Sequence, residues 1–508
     1  LNEENSKIIE EFTQAHLENS KLTPRGPKVI HETIWGTNLY YPWEIALLNT
    51  SLLQRLRLIH QTGLGYFTFP TATHTRFDHS LGVCIKSGQF ANKLLEKIPG
   101  IADFSNDDIY ELRISALLHD IGHCLFSHTS EEVYSLLPSV QGLIGQHGEY
   151  EGAAAHEALS CLIIKTKIFS DFFDKLKEQY SKINNCKIEN IQKYILGKFD
   201  SKIKYKSDFL NGPFDSDKID YLFRDGHFSG IPINIDIDRM AYAINRYEIQ
   251  DNGNNWQRLV LDHTGISPVE QILFNKIQLY PILYHHHKVK AADCMFKGIV
   301  EHIQTGSSEL IMNRNNDKLK FDKIRDYLWT TESQIFTFGM NYDQGNKIHT
   351  LIHDLQYRRL IKRVAAISPN TVILNDSFRK FVALRHPNNK DIHDKLRNIA
   401  KIISLEASKK YDCPQEQVWI ELPISPKIGK DIRGAYILYP NNIVKVVDIF
   451  PIEDWLESYE LYKWQAYVFG PDGLQDQLAP IVKDVLKSEL GLSLKDEAFT
   501  CCHVKAPK

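Results

Sequence analysis

The run Ala116-Leu117-Leu118-His119-Asp120-Ile121 describes a helix that must bury itself in a core and yet ends in side chains suited to holding an ion. Its pattern predicts a helix over 107–121. His123 follows His119 by one helical turn, so on a continued helix the two imidazoles would share a face. An adjacent His-Asp pair offers a neutral nitrogen and an anionic oxygen to one divalent cation. The stretch HTRFDHSLGV, beginning at His74, adds His79 beside Arg76, whose planar guanidinium can grip a phosphate bidentately. The segment DSDKIDYLFRD adds Asp217, then Lys218, then Tyr221 on the same helical face as Asp217. Taken alone, a His-Asp pair is commonly a surface or capping pair, and Asp217 reads as a cap. Their combination and order are what point to chemistry.

At 508 residues the chain exceeds one ordinary core, so two lobes or an enlarged domain are expected. Hydrophobic content of 43% with 24% charged residues is that of a globular protein. With 60 basic and 63 acidic residues, the formal net charge is −3 and no global field draws nucleic acid, which is not an expected partner. No apolar run reaches the length of a membrane span, and the polar, acidic N-terminal stretch is unlike a secretory signal. Eight cysteines without a CxxC read as reduced thiols in a cytoplasmic protein.

Residues 6–18 have the pattern of a short amphipathic helix, which Pro24-Arg25-Gly26-Pro27 separates from the main domain. Trp35-Gly36 suggests a turn, 52–59 a helix closed by Gly63-Leu64-Gly65, and Phe67 to Pro70 a short extended piece. Helical patterns dominate 107–121, 154–164, 168–183, 236–246 and 268–303, with Leu259-Val260-Leu261 strand-like. The polar, Asn-rich segment 305–318 is the expected domain edge. Beyond it, helical stretches at 322–330 and 349–366 alternate with β-rich runs at 371–374, 417–422 and 442–449. The expected organisation is an extension over 1–27, a helical domain over 28–305 and an α+β lobe over 306–508. That lobe has no ordered cluster of ligand-type residues, so scaffolding or self-association is its expected role.

With Arg76-x-x-His79, His119-Asp120 and Asp217 to Tyr221 in that order, the chain resembles the HD-domain phosphohydrolases, in particular their deoxynucleoside triphosphate triphosphohydrolase branch. The resemblance runs from about Val29 to Lys290 and more loosely to the C-terminus. It implies a mostly α fold with a helical HD core. It also implies a divalent metal (Mn, Mg, Fe, Co or Zn) held by His79, His119, Asp120 and Asp217. Two imidazoles and two carboxylates leave positions for water and a phosphate oxygen. His123, His128 and His156 align with family positions that hold phosphates or move protons. His128 and Glu131 are three apart, so a helix can set the carboxylate on the imidazole and make His128 a general acid.

For the substrate, Arg76 suits a phosphate by its own chemistry, and the resemblance assigns Lys218 to phosphate, Tyr221 to the sugar's 2′ side, and Gln61 with Asp225 to the 3′ hydroxyl. Lys276 stands where the family has an arginine for the outer phosphates, and Tyr284 where it has a tyrosine near the base. A one-residue slip would put Ile277 and His285 there instead. Two further departures are Thr62, after Gln61, and His285 or His286 in place of a glutamine. His285-His286-His287 cannot all chelate one ion from a regular helix, because successive positions point in different directions. Substrate lining or an oligomer contact suits them better. The implied activity is hydrolysis of deoxynucleoside triphosphates to deoxynucleoside and inorganic triphosphate. The alternatives are another HD-type nucleotide phosphohydrolase, acting on a monophosphate or a signalling nucleotide, and a non-catalytic nucleotide-sensing scaffold. Homo-oligomers with allosteric nucleotides at subunit contacts are also implied.

Overall fold

Apolar residues at helical spacing occupy most of the chain, and the fold is mostly α with small sheets toward the C-terminus. The computed structural model describes residues 2–500 except 21, 24, 146–147, 252, 307–309, 312–317, 341–345, 375, 385–389, 424–433 and 451–462. Helix α1 (Asn2–Leu17) buries Ile8, Ile9 and Phe12. The centre is the packed pair α2 (Arg76–Lys97) and α3 (Asn106–Leu118). Both start on capping boxes, which satisfy backbone donors that a helix leaves open. Asp78 accepts from the Thr75 amide at 2.9 Å, and Asp108 from the Ser105 amide at 2.9 Å. Of the later helices α4 (His128–Tyr134), α5 (Ala155–Lys165), α6 (Ser216–Ser229), α7 (Ile266–Leu279) and α8 (His287–Gln304), α6 packs directly on α2 and α7 packs on α6.

Strands β1 (Lys28–Glu32) and β2 (Gly36–Tyr40) form a hairpin joined by the turn at residues 33–35. Gly36 there has φ +71°, a conformation that needs no Cβ. Strands β3 (Ile244–Asp251) and β4 (Asn254–Asp262) pair antiparallel and are joined by β7 (Tyr436–Tyr439) and β8 (Asn442–Lys445) in the order β8-β7-β4-β3. The β4–β7 contact is parallel. A three-stranded antiparallel sheet, β5 (Lys362–Ile367), β9 (Ala466–Gly470) and β6 (Trp419–Glu421), has β9 at its centre. It carries a second core with Ile403, Val468, Val482 and Leu486.

Several local expectations need correction. Helix α3 stops at Leu118, three residues early. The 268–303 pattern is broken at Tyr280–Tyr284, where a π-turn accommodates Pro281, which has no amide to donate. Phe67 to Pro70 is the end of the 3₁₀ turn Gly63–Phe67 and a bend, not an extended piece. In 349–366, the helix ends at Gln356 and β5 begins at Lys362, because Val364 and Ile367 are needed on the two-sided sheet. Residues 371–374 contribute only an isolated bridge from Val372 to Leu494. Residues 442–449 split into β8 and a helical turn, Val446–Ile449. The larger core runs across residue 305, since Phe321, Tyr327 and Ile335 belong to it together with α2 and α3.

Among the described residues, no helix is long and apolar enough to cross a membrane. Cys84, Cys124, Cys161, Cys186, Cys294 and Cys413 are buried free thiols, and Cys501 and Cys502 lie outside the described residues.

Candidate metal centre and active site

His119 is the C-cap of α3, after which the chain turns through Asp120 to Ser127. His119 and His123 are therefore not on one helix face. The reason is close packing against α5. A Cβ at Gly122 would stand 2.2 Å from the His156 carbonyl, and Ser160 Oγ donates to the His119 carbonyl at 2.6 Å. Buried Arg55 ties down the other side, donating to the carbonyls of Ile121 (3.3 Å) and His123 (2.6 Å).

The turn brings His119 and Asp120 to His79 of α2 and Asp217 in the first turn of α6. His79 Nε2 is 2.9 Å from Asp217 Oδ1 and 3.8 Å from Asp120 Oδ2. His119 Nε2 is 3.4 Å from Asp120 Oδ1 and 3.8 Å from Asp217 Oδ1. Ligand atoms of His79, His119 and Asp120 lie within 4.8 Å of one another. His119 Nε2 is buried yet makes no hydrogen bond, although its other nitrogen donates to the Ala116 carbonyl at 2.8 Å. A buried polar atom left in this way needs a partner, and a cation between the two carboxylates supplies one. The electrostatics agree. Burial disfavours charge here, but Asp217 and Asp220 outweigh it and raise the His79 imidazole to about 10. Burial likewise opposes ionisation of Asp120, yet Arg76, His119 and His79 hold its carboxyl far below the usual range. The donors thus fit a divalent metal.

Sequence spacing did not point to a supporting shell behind these ligands. Asp220 accepts from His79 Nδ1 at 2.7 Å, which turns Nε2 toward the site. Arg224, four residues on along α6, donates to both Asp220 oxygens (2.8 and 2.9 Å) and to Glu32 (3.0 Å), and Trp35 Nε1 donates to Asp220 at 2.6 Å. Gly82 leaves room for this carboxylate, since a Cβ there would be 1.8 Å from Asp220 Oδ1. The i,i+4 spacing of Asp220 and Arg224 is the one signal that could have found it. Arg76 is also part of this shell. It donates to Asp120 Oδ2 (2.9 Å), Ser127 Oγ (3.0 Å) and the Gln61 carbonyl (3.4 Å).

Next to the quartet, His123 stacks on His156 with centroids 3.9 Å apart, and His128 meets both rings edge-on. Glu131 joins two of them, accepting from His128 Nδ1 and from His156 Nδ1 at 2.8 Å each. Burial pulls against charge, but the Glu131 carboxylate raises His156 to about 9. The Glu131 carboxyl itself, opposed by burial, is held well below its usual range by His156 and His128. His123 is fully buried with neither ring nitrogen hydrogen-bonded, and burial and Arg76 push its pKa well down, so its ring is neutral.

These groups surround a cavity of about 380 Å³. His119, Asp120 and Asp217 line it together with Gln61, Tyr221 and Asp225, and Arg76, His128, His156, Lys218, Tyr284 and His285 are also in its wall. His79, His123 and Glu131 sit behind that wall. Asp225 is fixed by His74 Nε2 at 2.7 Å and by the Tyr284 hydroxyl. Lys218 Nζ donates to Asp215 (2.7 Å) and to the Gly212 carbonyl (2.9 Å). Lys276 is not in the wall; it is buried with its ammonium 5.7 Å from the Tyr280 ring centre. The wall includes Thr129, Tyr280, Lys290 and Asp293, none of which the sequence motifs pointed to.

Comparison with known proteins bears on the same residues. The HD domain matches residues 76–222 and the HD associated region matches residues 235–496. An uncharacterized protein of Methanocaldococcus jannaschii is 25% identical over 471 residues, covering 92% of this chain and 84% of that protein. The deoxynucleoside triphosphate triphosphohydrolase SAMHD1 of Homo sapiens is 26% identical over 391 residues, 71% of this chain but only 57% of that enzyme. A putative HD domain-containing protein of Acanthamoeba polyphaga mimivirus is 27% identical over 390 residues, 71% of this chain and 80% of that protein. With the HD domain followed by its associated region, which alone matches just over half of the sequence, this chain belongs to the HD-domain phosphohydrolase family.

Proposed function

We propose that this protein is a metal-dependent hydrolase of deoxynucleoside triphosphates, cleaving at the α-phosphate to release deoxynucleoside and inorganic triphosphate. The observation that carries the reading is one cavity lined both by three members of the ion-binding quartet, His119, Asp120 and Asp217, and by Gln61, Tyr221 and Asp225, with His79 meeting Asp217 from behind. The triphosphohydrolase activity for which the SAMHD1 relatives are named supports it. A divalent metal held by His79, His119, Asp120 and Asp217 would polarise a phosphoryl oxygen and acidify water at neutral pH. The chain's own residues do the rest. Lys218 and protonated His156 offer positive charge to the phosphates. Arg76, which also lines the cavity, sets Asp120 in place. His128, oriented by Glu131, gives a proton to the departing 5′ oxygen. Asp225, already positioned by His74 and Tyr284, accepts the 3′ hydroxyl. Buried Gln61 Oε1, which makes no hydrogen bond within the protein, is a second acceptor for it.

Tyr221 lies one turn along α6 from Asp217, and its ring fills the space a 2′ hydroxyl would need. A ribose hydroxyl buried there without a partner costs about 1–3 kcal/mol. That corresponds to roughly five- to a hundredfold discrimination before any steric clash is added. The test compares rates on dATP with ATP and on dGTP with GTP, together with a dideoxynucleotide. Deoxynucleotides should be strongly favoured and the dideoxy analogue poor. Equal rates on the paired sugars would remove the deoxynucleotide reading and leave a general nucleotide phosphohydrolase.

A further inference from the structure

The turn that delivers His128 is strained. Phe126 and Ser127 both have positive φ, +55° and +51°, and Ser127 combines this with ψ −125°. Residues with a Cβ seldom occupy such regions and stay there only when their surroundings impose it. Here the imposing group comes from far along the sequence. The Phe126 amide donates to Glu332 Oε1 at 2.9 Å, and the His60 amide donates to the same oxygen at 3.1 Å. The other Glu332 oxygen takes the His60 ring. Ser127 Oγ completes the clasp by donating to the His60 carbonyl at 2.6 Å.

Glu332 thus sits where two chain segments meet, one leading to Gln61 and the other to His128. It is itself 4% exposed and is not in the cavity wall. It opens the helix Glu332–Met340, within the HD associated region. One turn along, Phe336 packs edge-on against Phe126 with centroids 5.8 Å apart. Just before the helix, the Leu328 carbonyl accepts from Arg55 at 3.2 Å, the same arginine that holds the carbonyls of Ile121 and His123. Gly63 lets the segments approach, since a Cβ there would be 2.7 Å from the Phe126 carbonyl.

We propose that Glu332 is a positioning residue for hydrolysis: its carboxylate fixes the Phe126–Ser127 turn against His60, and so sets where His128 meets the leaving oxygen. The inference rests on the hydrolase reading of the site. Its energetic basis is geometric, since about 1 Å of misplacement in a reacting group can cost about a hundredfold in rate. It also gives the HD associated region a part in the chemistry of the HD domain, without contact with the substrate.

The test compares Glu332→Gln, which retains an acceptor oxygen for the two amides, with Glu332→Met, which fills similar volume with none. For Met, kcat should fall by about 30- to 100-fold, with KM and bound metal within about threefold of the native protein. Gln should recover most of the lost kcat. Native kcat in the Met variant would overturn the proposal. So would a Gln variant as impaired as Met, or a loss that merely follows lost metal. If the Met variant does not fold, hydrogen exchange at the Phe126 amide of the native protein decides. Slow exchange there supports the pin, and exchange at the rate of a solvent amide overturns it. A native protein that hydrolyses no nucleotide would instead refute the function proposed above, and the Phe126 amide would still report on the pin.

Discussion

Asp217→Asn is expected to reduce bound divalent metal to background and nucleotide hydrolysis to below detection, while the protein stays folded. Asp217 is the most accessible of the four proposed ligands, with its side chain 35% exposed, and its nearest partner is His79 Nε2. Removing its charge therefore unbalances little besides the metal site. Asp120 is the less clean target. Its carboxylate is the partner of Arg76, and both are buried. Asp120→Ala would leave a buried guanidinium uncompensated, at a cost of about 3–5 kcal/mol, a large part of the roughly 5–15 kcal/mol that holds a domain folded. Asp120→Asn also removes the countercharge but keeps an acceptor oxygen for Arg76, so it should lose metal at a smaller cost in stability. Metal content by elemental analysis, read beside thermal unfolding, separates the two effects. Full occupancy and normal turnover in Asp217→Asn would show that the ion-binding quartet is misassigned.

His128→Ala is expected to lower turnover by about 10²- to 10⁴-fold, the usual loss when a general acid is removed. Metal content and substrate affinity should be nearly unchanged, because His128 is the exposed member of its cluster and contacts Glu131 rather than a ligand. The alkaline side of the pH profile should survive in this variant. His156, raised to about 9 by Glu131, keeps its proton below that pH and loses it above, so substrate binding that depends on its charge should weaken as pH rises through about 9. Collapse of substrate affinity with turnover intact would make His128 a binding residue and place the acid elsewhere.

The parts of the site legible in sequence are those set by local spacing. His119-Asp120 and Asp217 with Lys218 and Tyr221 can be read because adjacent residues, or residues one turn apart, have fixed relations on a helix. The same reasoning fails for His119 and His123: helical spacing does not extend past Leu118, where packing of Gly122 against α5 turns the chain instead. Long-range partners leave little local signal. Nothing near His79 announces Glu32 or Trp35, and nothing near His128 announces Glu332, more than 200 residues away. The β5 strand is hidden because Val364 to Ile367 fits either a buried helix or a buried strand, and only pairing with β9 decides between them. Lys276 shows a different limit, since a matched position in a helix does not determine whether its side chain reaches the cavity.

The most direct measurement of the proposed activity is the identity of the phosphate product. The four dNTPs and four NTPs would be incubated with the metal-loaded protein in Mn, Mg or Co, and the products separated by ion exchange. Deoxynucleoside should appear together with intact inorganic triphosphate, formed faster from dNTPs than from NTPs and lost in Asp217→Asn. Release of orthophosphate or pyrophosphate, leaving a nucleoside di- or monophosphate, would contradict cleavage at the α-phosphate.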